Sequence, residues 1–196
     1  MPKKKSVKKS AEEFRSRADD LSDFLSAVSK GQTDAHVSWL YNYAIIHLYR
    51  EFERLMLHTL VGAINNNTET ISEVAGVSFP EHLTDEVCEY LIIGTGYFDF
   101  KGRDGLIQTI KKYVPNDHYL LEIVKKDKYR EALGKLAALR NFAAHESSRS
   151  KKSALAAIEQ RRLASSGSWL KRQGRFDLIK DRLKDLGNEI AAAAPY

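Results

Sequence analysis

The chain contains a single cysteine, Cys88, which excludes an internal disulfide and any site assembled from several thiolates. A lone cysteine reads as a small buried hydrophobe and points away from an oxidising compartment. No apolar run approaches the roughly 18 to 20 residues that a bilayer crossing requires. The lysine run near the start has no signal-type apolar stretch behind it, so a cytoplasmic protein with no membrane contact is expected. Proline stands only at positions 2, 80, 115 and 195, leaving 3–79 and 116–194 without the strongest helix breaker. Alternating apolar patterns of useful length, internal repeats and heptad arrays are missing too, which argues against sheets, solenoids and coiled coils. Gly94 and Gly96 form a G-x-G without a third glycine, and there is no P-loop, so a phosphate-cradling glycine loop is not expected. His145 and Glu146 open an apparent H-E-x-x-H, but Arg149 occupies its fifth position, and no other His or Cys spacing resembles a metal site. No metal and no cofactor is therefore expected.

What is present fits an all-α fold. A length of 196 residues, 43% of them hydrophobic, suffices for one core. Residues 1–10 are expected to be a disordered basic tail and residues 11–196 a single α-helical domain. Ser10 is expected to cap a first helix to about Val28, with Phe14, Leu21, Phe24 and Leu25 as its apolar stripe and Gly31 as its stop. Thr33 or Asp34 caps a long second helix to about Ile64, the expected central core helix, including Trp39, Tyr43, Phe52 and Leu55. Residues 65–80 read as a loop. Further helices are expected near 85–93, 103–113, 127–146, 151–163 and 174–193. The segment GYFDFKGRDG, residues 96–105, reads as a connection pinned by its aromatics to the core, although aromatics beside Lys101 and Arg103 also suit base stacking. His36, His47 and His58 recur every eleven residues, about one face of the long helix, and read as surface or interface histidines too far apart to share a metal.

The net charge of +5 is unevenly spread. Residues 1–10 hold five lysines and no acid, and residues 140–175 hold nine Lys or Arg against two acids, which leaves −7 for the rest of the chain. Arg149, Lys151, Lys152, Arg161 and Arg162 are the candidate RNA-binding residues of this block. Clustered cations near phosphates release condensed counterions, the usual source of affinity for a polyanion. The competing reading is a set of solvated helix faces.

Beside that block lies RNFAAH, residues 140–145. Leu133, Leu136 and Ala143, with Tyr129 before them, give its helix an apolar stripe. Asn141 and His145 are four apart and share another face, which Arg149 continues if the helix persists. Asn141 is then placed to hydrogen-bond one ring nitrogen of His145 and fix its tautomer. Arg140 lies roughly 140° from His145 around an ideal helix, so the two meet only if the helix end unwinds or a second copy faces the first. The ordinary alternative is a helix end carrying a favourable C-terminal cation.

LRNFAAH, an R-N-x-x-A-H form of R-x-x-x-x-H near the end of a late helix, resembles the signature of the HEPN superfamily. YREFERLM on the long helix and YFDFKGRDGLIQTIKKYV in the middle resemble the RiboL-PSP-like bacterial branch of that superfamily. The likeness spans about residues 35–195. It implies a bundle of four to five core helices, with additional terminal helices, that pairs into a homodimer lining one cleft with two copies of the motif. It further implies a metal-independent endoribonuclease of toxin or antiviral defence type. By position, Arg140 and His145 are the implied catalytic pair and Asn141 the polar residue beside Arg140. Glu53, or alternatively Glu51, matches an acidic position on the long helix. RNA is the implied substrate, an antitoxin or regulatory protein a further partner. The family also includes non-catalytic modules that bind RNA, nucleotide or a partner protein.

Overall fold

A computed structural model describes residues 5–195; the first lysines of the expected basic tail, Lys3 and Lys4, lie outside the described residues. Among those described, all regular structure is helical, as the sequence pattern demands. In chain order the helices are α1 (Val7–Val28), α2 (Asp34–Asn66), α3 (Glu69–Ala75), α4 (Asp85–Ile93), α5 (Gly102–Ile110) and α6 (Tyr119–Lys125). A 3-10 turn (Asp127–Tyr129) leads into α7 (Arg130–His145), followed by α8 (Ser148–Ala157), α9 (Ser166–Leu170) and α10 (Arg175–Ala193). No helix among these is long and apolar enough to cross a membrane.

Helix α1 starts a turn earlier than expected. Ser6, not Ser10, caps it, its side chain accepting from the Lys9 amide at 3.3 Å. The cause is packing: Val7 extends the stripe of Ala11, Phe14, Ala18, Leu21 and Leu25 by one turn, and all six are buried. The chain is anchored even before the cap, because Lys5 donates through its amide to Asp85 (2.8 Å) and through Nζ to Glu89 (3.0 Å). Residues 5–10 thus depart from the expected disordered tail.

Helix α2 is capped by Thr33, whose hydroxyl accepts from the His36 amide, and it is the spine of the core. Ile45, Leu48, Phe52, Met56, Leu60 and Ile64 are fully buried, and α1, α7, α9 and α10 all pack on it. Its first turns behave differently: Trp39 is 66% and Tyr43 54% exposed, so these two expected core aromatics face solvent. The expected loop at 65–80 contains α3, whose one buried apolar residue, Ile71, joins Val61, Ile64 and the buried Cys88 in a small satellite cluster. One buried position gives no readable period, which is why the sequence pattern misses this helix. Helices α6 and α9 are missed for the same reason of length, at seven and five residues.

One contact fixes how α9 meets α2. The Gly167 amide donates to Asn42 Oδ1 at 2.6 Å, and Ser166 Oγ donates to the Leu139 carbonyl at 2.7 Å, tying α9 to both α2 and α7. A Cβ at Gly167 would lie 1.8 Å from the Ser38 carbonyl oxygen and 2.9 Å from the Asn42 amide nitrogen, both backbone atoms that cannot rotate away. Gly167→Ala is therefore expected to cost about 3 kcal/mol, roughly 6 to 12 °C in Tm for a domain of this size. Thermal and urea unfolding measure it, and an unchanged Tm would contradict this packing.

Candidate functional site

The site is built on the C-terminal half of α7 where it crosses α2. Arg140 lies over the ring of Tyr49, with its guanidinium carbon 4.4 Å from the ring centroid. Tyr49 is itself immobilised. It stacks on Phe100 at 4.9 Å, and its hydroxyl sits 2.6 Å from the Phe100 carbonyl and 2.9 Å from Asp99 Oδ1. Burial pushes the Tyr49 hydroxyl far above its ordinary pKa, so it stays a neutral donor. Phe100 in turn meets Phe52 edge-on at 5.6 Å. The expected pinning of residues 96–105 is thus realised through Phe100, whereas Tyr97 stands 95% exposed. Arg103 serves the scaffold, its guanidinium donating to the Val124 and Lys125 carbonyls at the end of α6.

Of the two acidic candidates on α2, Glu53 shares the surroundings of Arg140. Arg50, Glu53, Arg54, Tyr97, Asp99 and Arg140 line one open cleft of about 650 Å³. Burial raises the Glu53 carboxyl to about 7, with the Arg140 charge pulling it down and the Asp99 charge pushing it up. Glu51 faces the other way. It is 3% exposed under α1, paired with Arg17 at 3.5 Å and 3.8 Å from His47. Two residues along a helix turn a side chain by roughly 200°, which is why YREFER delivers one carboxylate to each side. Tyr49 lies four residues before Glu53, on the same face, and that spacing was the available sequence signal for it.

The expected bond from Asn141 to His145 is absent among the described residues. Asn141 Oδ1 instead accepts from Arg140 Nη1 at 2.8 Å, because the half-buried guanidinium has a nearer need for an acceptor. His145 is the last residue of α7 and is exposed. Glu146 then takes a left-handed φ of 45°, and Ser147 and Ser150 form a reciprocal capping box that starts α8. The helix does not persist, so Arg149 does not continue its polar face but belongs to α8. Within one chain, Arg140 lines the 650 Å³ cleft and His145 does not.

The candidate RNA-binding residues Arg149, Lys151 and Lys152 occupy the start of α8, and Arg161 and Arg162 the segment after it. All five are exposed, and none makes an ion pair among the described residues. That contrasts with Lys180, held by Asp177 at 3.1 Å, and Lys184, held by Asp19 at 2.6 Å. Three cations near a helix N-terminus also oppose the helix dipole, which an arriving anion would relieve. Of the histidine stripe, His36 lies against Trp39 and His47 on Tyr43 at the surface. His58 departs from the expectation: it is half-buried beside Ser10, and burial, aided by the Lys5 and Arg54 charges, pushes it down to about 4. No group of three or more His, Cys, Asp or Glu among the described residues is arranged to hold a metal ion.

No protein-family model, curated protein or solved structure matches this chain.

The position of Glu53 has a pH signature. Its folded-state pKa lies above the ordinary value of 4.5, so ionising it costs more in the folded than in the unfolded chain. The stability present below that ordinary value is lost as pH rises through about 7. Glu53→Gln, which cannot ionise, is expected to gain on the native protein across that window and hold its advantage above it. Urea unfolding at a series of pH values checks this, and a difference that stays flat with pH would contradict it.

Proposed function

We propose that this protein is a HEPN-type, metal-independent endoribonuclease acting as a homodimer. The observation that carries the reading is the seating of Arg140 on the Tyr49 ring, in an open cleft that Glu53 also lines, on the helix that ends at His145, followed in the chain by five cations without ion-pair partners among the described residues. A cation held in that way is preorganised for charge that develops on a phosphate. The dimer enters because Arg140 and His145 of one chain do not line the same cleft, so a twofold arrangement of α7 is the simplest way to bring them onto one phosphate.

In this mechanism His145 takes the proton of an RNA 2′-hydroxyl as its oxygen attacks the adjacent phosphorus. The bond from phosphorus to the 5′-oxygen breaks, that oxygen receives a proton, and the products are a 2′,3′-cyclic phosphate and a free 5′-hydroxyl. Arg140 holds the nonbridging oxygens, and Asn141 fixes the guanidinium that does so. Glu53, whose carboxyl burial raises to about 7, supplies the proton that the 5′-oxygen receives. Arg149, Lys151, Lys152, Arg161 and Arg162 hold flanking phosphates, so affinity falls steeply with salt. Toxin or antiviral activity in the cytoplasm, checked by an antitoxin, follows from this reading as its biological setting.

A second reading is a non-catalytic HEPN module that binds RNA or a partner protein through the same cleft. It is favoured by one fact: among the described residues, no side chain hydrogen-bonds the His145 ring. One experiment separates them. Purified protein is incubated with mixed RNA in EDTA, and the product ends are identified. His145→Ala is expected to lower the cleavage rate by about 10²- to 10⁴-fold, and Arg140→Ala by an amount equal to about 2.7 to 4 kcal/mol, with circular dichroism and dimerisation unchanged. Full cleavage by folded His145→Ala, or strict dependence on added metal, removes the mechanism.

A further inference from the structure

Both tryptophans of the chain line a second groove, which shares no lining residue with the cleft that holds Arg140. This groove, of about 540 Å³, runs between the first turns of α2 and the α9–α10 region, and Glu146, the residue after His145, forms part of its wall. Trp39 presents an indole that is 66% exposed, an unusual outlay of aromatic surface unless something flat covers it. Trp169 is 8% exposed, and its indole N–H has no hydrogen-bond partner.

The remaining wall is cationic. Arg162 and Arg172 are exposed and make no ion pair among the described residues. Arg175 lies over the Trp169 ring at 4.7 Å and is held by neutral acceptors, the Trp169 carbonyl at 3.3 Å and Gln173 Oε1 at 2.7 Å. Its position is fixed while its charge stays uncompensated. Two acids also line the groove, Glu146 and Asp34, and Asp34 is already bound by Lys171 at 2.6 Å. The Gly167 contact holds the floor rigid, because α9 rests directly on the α2 backbone.

An exposed ring beside guanidinium groups that lack carboxylate partners matches one chemistry, a flat base joined to phosphates. We infer that this groove is a binding subsite for unpaired nucleotides of a single-stranded RNA, with Trp39 stacking on a base and Arg162, Arg172 and Arg175 taking the adjoining phosphates. The inference deepens the ribonuclease reading, on which its biological sense rests: the strand leaving the phosphate at His145 would continue into the groove. Trp39, Arg172 and Arg175 would then set which stretch of unpaired RNA is presented for cutting.

The test uses the intact protein and a 2′-O-methyl hexa-adenylate, which lacks the attacking hydroxyl and so reports binding without cleavage. Saturable quenching of tryptophan emission is expected, since the only two tryptophans line this groove. By anisotropy of the labelled oligomer, Trp39→Ala should raise Kd about tenfold or more, in line with base–aromatic stacking. Arg162→Gln with Arg172→Gln should raise Kd and reduce the slope of log affinity against log salt by about 1.4, two single-strand phosphate contacts' worth. These side chains are exposed, so the variants should fold. Absence of quenching, or unchanged Kd and salt slope in both variants, overturns the inference. Equal quenching by polyglutamate of matched charge overturns it in favour of an acidic peptide. Oligomer binding of the expected kind without any RNA cleavage sinks the nuclease reading and leaves the groove standing. Cleavage with an unchanged KM in both groove variants does the reverse.

Discussion

Helix α2 cannot be left in water, and the rest of the fold follows from that. Apolar side chains fall on nearly every face of it from Ala44 to Ile64, so no single neighbour can cover it. Helices α1, α7, α9 and α10 therefore pack around one rod, while α4 and α3 close its far end through the cluster at Cys88. At roughly 25 cal/mol per Å² of apolar surface removed from water, this burial is the dominant stabilising term. The arrangement leaves α2 open at the cleft that Arg50, Glu53 and Arg54 line and again at its first turns, where Trp39, Tyr43 and His36 are exposed beside Asp34, which Lys171 holds.

The same rod divides the chemistry of RNFAAH. Arg140 points toward α2 and settles on Tyr49, a residue whose own position depends on Phe100 and through it on Phe52. His145 sits at the tip of α7, where the Ser147 and Ser150 box turns the chain away. One residue of the motif is therefore bound into the core and the other is presented at the surface. A side chain fixed by aromatic packing has little conformational freedom left to lose.

Charge placement repeats this division. Lys180 and Lys184 of α10 are neutralised by Asp177 on the same helix and by Asp19 across the α1–α10 contact, and Lys126 and Lys128 after α6 by Glu189. The cations between residues 149 and 172, apart from Lys171, make no ion pair among the described residues, and Arg162 and Arg172 of them line the Trp39 groove. Paired charges tie elements of the fold together; the unpaired ones leave their positive potential at the surface.

How much was legible in the sequence depends on whether a property is local. Caps, stops and helical periods are set by residues within four or so positions, so α2, α4 and α10 could be read nearly to their ends from Thr33 and the apolar spacing. Helices α3, α6 and α9 could not, because five to seven residues are too few to display a period and their stability comes from what they pack against. The residue types and spacing of RNFAAH, and the basic block after it, are likewise written in the chain. Which of Glu51 and Glu53 faces Arg140, that Asn141 serves Arg140 rather than His145, and that two distant tryptophans line one groove were decided only by the tertiary structure. Those facts depend on the angle at which α7 and α9 cross α2, and that angle is set by backbone contacts such as Gly167 on Ser38, between residues more than a hundred positions apart.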